Sequence, residues 1–213
     1  MRFRRKSDDV DEAAEARLAA EAEDEQAEVT GPYDADDLPD DGVERVDLGS
    51  LVLAPEPGRE LRLQVDDATG TVQSVVLAGK DGALELRAFA APRGGDLWTE
   101  VRPQIAADMA QRGGTASERE GRFGTELLCQ ATIKRPDGTT AAQPSRIIGI
   151  NGSRWLLRAT LLGRPAVEPD ASEEWEKTIT EVAVRRGAHA MPVGEALPLQ
   201  MPPNARRVEQ PLA

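Results

Sequence analysis

Ile147-Ile-Gly-Ile150-Asn151-Gly152-Ser-Arg-Trp155-Leu-Leu-Arg158-Ala-Thr-Leu-Leu162 is the stretch whose reading decides the fold. Two apolar runs flank an Asn-Gly pair. Asn-Gly is the preferred centre of a two-residue type I′ hairpin, because both residues tolerate positive φ. That turn sets Ile150 opposite Ser153, Ile148 opposite Trp155 and Arg146 opposite Leu157. One face then carries Ile148, Ile150, Trp155, Leu157, Ala159 and Leu161. The other carries Ile147, Gly149, Arg154, Leu156, Arg158, Thr160 and Leu162. Both faces are largely apolar, so the hairpin belongs at the centre of a sheet, covered on both sides.

Working outward, Phe123, Thr125, Leu127, Cys129, Ala131 and Ile133 alternate onto one face and predict a strand over 122–133, followed by a turn at Pro136-Asp-Gly138. Residues 60–90 read as a three-stranded antiparallel meander, with turns at Asp66–Gly70 and Gly79–Gly82. Asp96 can cap a helix whose apolar positions are Leu97, Val101, Ile105 and Met109, closed by Gly113-Gly114. Pro103 falls inside that helix and leaves two readings open, a kinked helix from Leu97 or a main helix from Arg102. Asp170-x-x-Glu173 resembles a capping box before a second helix bearing Trp175, Ile179 and Val182, with an edge strand at Val184–Gly187. Leu197–Pro202 is expected to lie extended against the body. The sum is an α+β domain, a mostly antiparallel sheet of six or seven strands with two helices on a face.

The charge is unevenly placed. The chain of 213 residues has 38 acidic and 26 basic side chains, a net of −12. Residues 1–42 hold 15 of the acids and 5 of the bases, a net of −10, so the rest of the chain is close to neutral. Residues 1–42 are therefore predicted to be a disordered acidic tail, too poor in apolar side chains to offset the entropy of ordering. Residues 43–203 form the domain and residues 204–213 a disordered C-terminus. The basic start, Met1-Arg-Phe-Arg-Arg-Lys6, reads as a short solvated tag beside an acidic run that repels phosphate. The acidic patch Asp34–Asp41 lacks the spacing of a calcium loop.

Composition excludes several kinds of chemistry. One Cys and one His allow neither an internal disulfide, nor a thiolate metal cluster, nor a multi-histidine site. No metal and no cofactor is expected. Ser153 is not in a G-x-S-x-G elbow, His189 lies in a loop, and Cys129 reads as a buried structural thiol. With no apolar run of about 18 residues and no signal-peptide core, a cytoplasmic location is expected, with no membrane partner. The few aromatics and the near-neutral domain argue against nucleic acid. The candidate ligand- or partner-binding residues are Arg93, Trp98, Arg102, Arg154 and Arg158, because arginine forks beside a helix start can hold a carboxylate or phosphate. Read structurally instead, the three tryptophans are core and the arginines pair with Glu100, Glu126 or Glu173.

Several segments taken together resemble one family. They are Gly31-Pro-Tyr-Asp34, Val46-Asp-Leu-Gly-Ser-Leu51, Leu86-Arg-Ala-Phe-Ala-Ala-Pro-Arg93, Leu97-Trp98-x-Glu100-Val-Arg102, Gly124-Thr-Glu-Leu127 and Gly149-x-Asn-Gly-x-Arg154-Trp-Leu-Leu-Arg158. The chain resembles the actinobacterial domain of unknown function 3710 over 31–203. That resemblance implies a cytoplasmic protein and genes often near a dUTPase, and brings no site residues with it. The hairpin-rich layout is also similar to Mog1/PsbP-like sandwiches, an analogy of fold alone. The leading functional reading is a non-enzymatic binding or accessory module whose protein partner engages the acidic tail. The alternative is a small-molecule or nucleotide-handling enzyme with an Arg-lined anion site.

Overall fold

The computed structural model describes residues 31–134, 138–203 and 205. The central feature is a seven-stranded antiparallel sheet. Its strands are β4 (Glu60–Val65), β5 (Val72–Ala78), β6 (Gly82–Ala90), β7 (Thr115–Gly121), β8 (Gly124–Lys134), β9 (Thr140–Asn151) and β10 (Trp155–Gly163), in the order β4-β5-β6-β10-β9-β8-β7. The expected meander and the central β9–β10 hairpin are both present. β7 is highly polar, which hid it from a reading of apolar alternation. A smaller sheet of β1 (Tyr33–Asp34), β2 (Val46–Asp47), β3 (Leu51–Leu53) and β11 (Ala183–Val184) runs in the order β1-β11-β3-β2. β11 is therefore an interior strand of a second sheet and not an edge.

The hairpin register differs from the Asn-Gly expectation. Ile150 pairs with Leu157, Ile148 with Ala159 and Arg146 with Leu161, and the Gly152 N–H donates to the Trp155 carbonyl at 2.8 Å. The turn is thus Ser153-Arg154. Asn151 and Gly152 serve tertiary needs instead. The Asn151 amide Nδ2 donates to Asp96 Oδ1 at 2.7 Å, and its Oδ1 accepts from the Trp98 N–H at 3.2 Å. A Cβ on Gly152 would lie 2.0 Å from the Trp155 ring. The pairing moves by an even number of residues, so every side chain keeps its expected face.

The helices α1 (Leu97–Gln111) and α2 (Pro169–Thr180) lie on opposite faces, not on one. On the first face Trp175 and Ile179 of α2 join Leu77, Leu84, Leu86, Leu157 and Leu161 of the large sheet, Leu51 and Leu53 of the small one, and Leu48 from the link between β2 and β3. On the second face Leu97 and Trp98 of α1 pack on Leu127, Cys129, Ile147 and Leu156. Period-two alternation along β10 forces this split, since Leu156 and Leu157 must point opposite ways. α1 lies mainly over β7, β8 and β9 and reaches Leu156 of β10; among the described residues no helix packs to a like extent over the rest of that face of β10 and β6. α1 starts at Leu97 with Asp96 as its cap, so Pro103 does sit inside it. The Thr99 carbonyl loses its donor; Thr99 and Pro103 are both exposed residues, on the side of the helix that water reaches. α2 begins at Pro169 with Glu168 as its cap, two residues ahead of the expected Asp170, and the cap makes no side-chain bond.

The folded body begins at Gly31, not Val43. Tyr33 pairs with Ala183, and Asp34 accepts from Trp155 Nε1 at 2.6 Å and from the Ser153 hydroxyl at 2.9 Å. The acidic composition of 31–42 hid these contacts, because one carboxylate is drawn in by a buried indole N–H. The remainder of the expected tail, 1–30, and most of 204–213 lie outside the described residues, as does most of the expected Pro136 turn. The C-terminal strap behaves as read: Leu197 is buried, its N–H donates to the Ala88 carbonyl at 2.8 Å, and Leu199 bridges Gly49.

Candidate functional site

The five candidate residues separate into three groups. Trp98 and Arg102 hold the fold. The Trp98 indole is 4% exposed, its Nε1 donates to the Thr125 carbonyl at 2.6 Å, and its ring lies on Gly149, where a Cβ would come within 2.1 Å. Arg102 Nε donates to Glu118 at 2.8 Å, not to Glu100. Arg93 and Arg154 form the second group. Both are exposed, on two connections joined by bonds from the Ala91 N–H to the Arg154 carbonyl at 3.0 Å and from the Gly94 N–H to the Ser153 carbonyl at 3.2 Å. Their main chains are fixed side by side at one end of the sheet. No ion pair holds either guanidinium among the described residues.

Arg158 stands apart, in the middle of the second face. It lies directly opposite Arg87 of β6, and both guanidinium carbons sit over the Phe89 ring, at 5.4 Å for Arg158 and 5.5 Å for Arg87. Desolvation first, then the positive charge of Arg87, pulls the Arg158 guanidinium down from its ordinary range, against a weaker pull from Glu85. Arg87 and Phe89 were missed in the sequence. The signal was available, since Leu84, Leu86, Ala88 and Ala90 face the first core and so place Glu85, Arg87 and Phe89 on the other face.

Another arginine of the same sheet is treated differently. Arg146 of β9 is buried beneath α2, between Glu126 of β8 at 2.7 Å and Glu176 of α2 at 2.6 Å, and Arg119 of β7 adds a bond to Glu126 at 2.6 Å. Gly121 makes room for the Glu126 carboxylate, which a Cβ there would approach to 2.4 Å. The Arg59 guanidinium carbon lies over Trp175, 3.8 Å from the ring centroid. Cys129 is buried as expected, and burial pushes its thiol up. His189 is exposed. Among the described residues no group of His, Cys, Asp or Glu has the arrangement of a metal site, and no helix is long and apolar enough to cross a membrane.

The fold and the arginine placement define an α+β protein, an antiparallel sheet with a helix on each face and, among the described residues, part of one face bearing no helix. The chain belongs to the family described as protein of unknown function DUF3710, whose model matches residues 31–208. No curated protein matches the chain. Among solved structures it is similar to cyanobacterial PsbP (CyanoP) from Synechocystis, with 12% identity, a TM-score of 0.38, and coverage of 66% of this chain and 91% of that one. A second similar structure is a protein from Bacteroides thetaiotaomicron, with 14% identity, a TM-score of 0.37, and coverage of 67% of this chain and 47% of that one.

Proposed function

We propose that the chain is a non-enzymatic binding or accessory module of the cytoplasm that takes a protein partner. The supporting observation is the pair of connections bearing Arg93 and Arg154. Both residues are exposed, and their main chains are locked together by two hydrogen bonds. Arginine is enriched at protein interfaces because its planar fork recognises carboxylates with little loss of freedom. Two such forks on a fixed backbone suit an acidic surface on a partner and speed encounter through charge. The acidic N-terminal segment is a second contact for the same partner, at basic sites flanking that surface.

The test is covalent capture from native lysate with the full chain, with an Arg93→Glu/Arg154→Glu double variant, and with a chain starting at Gly31. A partner held by the full chain, lost by the charge reversal and weakened without the N-terminal segment supports this reading. The same proteins retained by all three chains would sink it. The enzyme alternative, an Arg-lined anion site acting on a small molecule or nucleotide, draws its support from Arg158 and not from this tip.

A further inference from the structure

We propose that Arg87 and Arg158 form a binding site for a phosphate monoester on the half of the sheet that α1 leaves uncovered. The two residues are directly opposed on β6 and β10. Like charges directly opposite one another in a ladder repel. On the other face of the same sheet Glu126 and Glu176 neutralise Arg146. No acid does this here: among the described residues neither Arg87 nor Arg158 makes an ion pair or a side-chain hydrogen bond, and Arg87 Nε is buried without an acceptor. Glu85, opposite Thr160 on the same face, acts on Arg158 only at longer range. Both guanidinium groups lie within cation–π reach of the same Phe89 ring, which places the two forks at one aromatic side chain. Arg87, Arg158, Glu85 and Thr160 are all half-buried, so solvent reaches the place.

A phosphate monoester fits this pair in charge and in oxygen count. It carries about −1.5 to −2 at pH 7 and three strong acceptor oxygens. That is enough for two guanidinium forks, whereas a monocarboxylate fills one. Trp98, seated on Gly149 directly beside Arg158, forms the wall of the site on the α1 side. The site goes beyond the partner-binding reading, which depends on Arg93 and Arg154, and the two can fail separately.

The experiment titrates the full chain with inorganic phosphate, then with glycerol 3-phosphate and O-phosphoserine. The readouts are nitrogen–proton NMR of the arginine Nε–H groups and Tm. Phosphate is expected to shift the Arg87 and Arg158 resonances saturably and to raise Tm, as linkage requires of anything binding the folded state. Acetate at equal ionic strength does neither. Arg87→Gln and Arg158→Gln should each weaken phosphate binding at least tenfold, and Arg93→Gln should not. Each of the first two variants relieves the repulsion, so its phosphate-free Tm should hold or rise. Should that Tm fall, Arg87→Lys decides: it keeps the charge and removes the fork, so tenfold weaker binding supports the site and unchanged binding overturns it. Shifts that acetate reproduces, no saturable shift, or binding kept by both glutamine variants also overturn it. Tighter binding of glycerol 3-phosphate than of O-phosphoserine assigns a small-metabolite source, and the reverse assigns a protein-borne phosphate.

Discussion

Arg146 and Arg158 sit on adjacent strands of one sheet, and their surroundings are opposite. Arg146 has Glu126 and Glu176 within 2.7 Å and is closed off beneath α2. Arg158 faces another arginine across the ladder and touches an aromatic ring. A buried charge with its counter-charges removed is costly, and a buried charge that never had them is tolerated only where water or a ligand reaches it. The first arrangement stabilises the fold from within. The second leaves an electrostatic demand that something outside the chain can meet. The contrast separates a structural arginine from a binding arginine on grounds of partner inventory, with no appeal to exposure alone.

The largest test of that contrast is Arg146→Ala. It strands the Glu126 carboxylate, which is 0% exposed and, among the described residues, would keep only the half-exposed Arg119 as partner. Breaking a buried pair on one side typically costs about 3–5 kcal/mol. Denaturant unfolding should show a loss of that size, with much of it recovered in Arg146→Met/Glu126→Gln. An Arg146→Ala chain as stable as the parent would erase the distinction between the two arginines.

Gly149 tests the boundary between the two halves of the second face. Its partner across the ladder is Arg158, and Trp98 of α1 lies on its bare Cα. Gly149→Ala puts a methyl into the indole, and overpacking of this kind costs about 1–3 kcal/mol. Because the clash is with one side chain, the same substitution in a Trp98→Leu background should cost clearly less. A double-mutant cycle in urea reads that coupling. Additive losses would mean that Trp98 does not define the wall beside Arg158.

Gly149 and Gly152 also mark where sequence reasoning reached its limit. The alternation of β10 and β9 was legible, down to the face of every side chain from Ile147 to Leu162. The turn was not, because Asn-Gly reads as a local signal while Asn151 and Gly152 answer to distant groups, Asp96 with Trp98 in one case and the Trp155 ring in the other. Two helices were legible from their spacing, but the face each would take was not, since a sheet apolar on both sides accepts either. Among the site candidates, residue type alone did not separate Arg158, which has no ion-pair partner among the described residues, from Trp98 and Arg102, whose side chains are bonded into the fold. What distinguishes them is the presence of Thr125 and Glu118 at hydrogen-bond distance, and that depends on the packing of β7 and β8. Arg87 was overlooked because its strand was read only for the apolar side.

The smallest effect, and the one that tests how firmly the wall of the open half-face is held, is at Asp96. Its carboxylate accepts from the Thr99 hydroxyl, from the Thr99 N–H at 3.0 Å and from Asn151 Nδ2 at 2.7 Å, so it caps α1 and ties that cap to β9. The Thr99 hydroxyl first, then the Thr99 N–H and the Asn151 amide, hold the carboxyl below the ordinary carboxylate range. A depressed folded-state pKa means that the unfolded chain takes up the proton first. The stabilisation is therefore complete above the unfolded carboxylate value, about 3.9, and is lost as pH falls through the lower folded value. Asp96→Ala should cost about 1 kcal/mol at neutral pH, the usual worth of an N-cap, and less below pH ~3 as the parent loses the same interaction. Asp96→Asn, which keeps a cap acceptor without the charge, should lie between the two at neutral pH and lack that acid-range change. Urea midpoints from pH ~2 to ~7 read the difference directly. A gap between the parent and Asp96→Ala that stays constant across the range would assign the cap's contribution to packing of the Asp96–Asn151 contact and not to its charge.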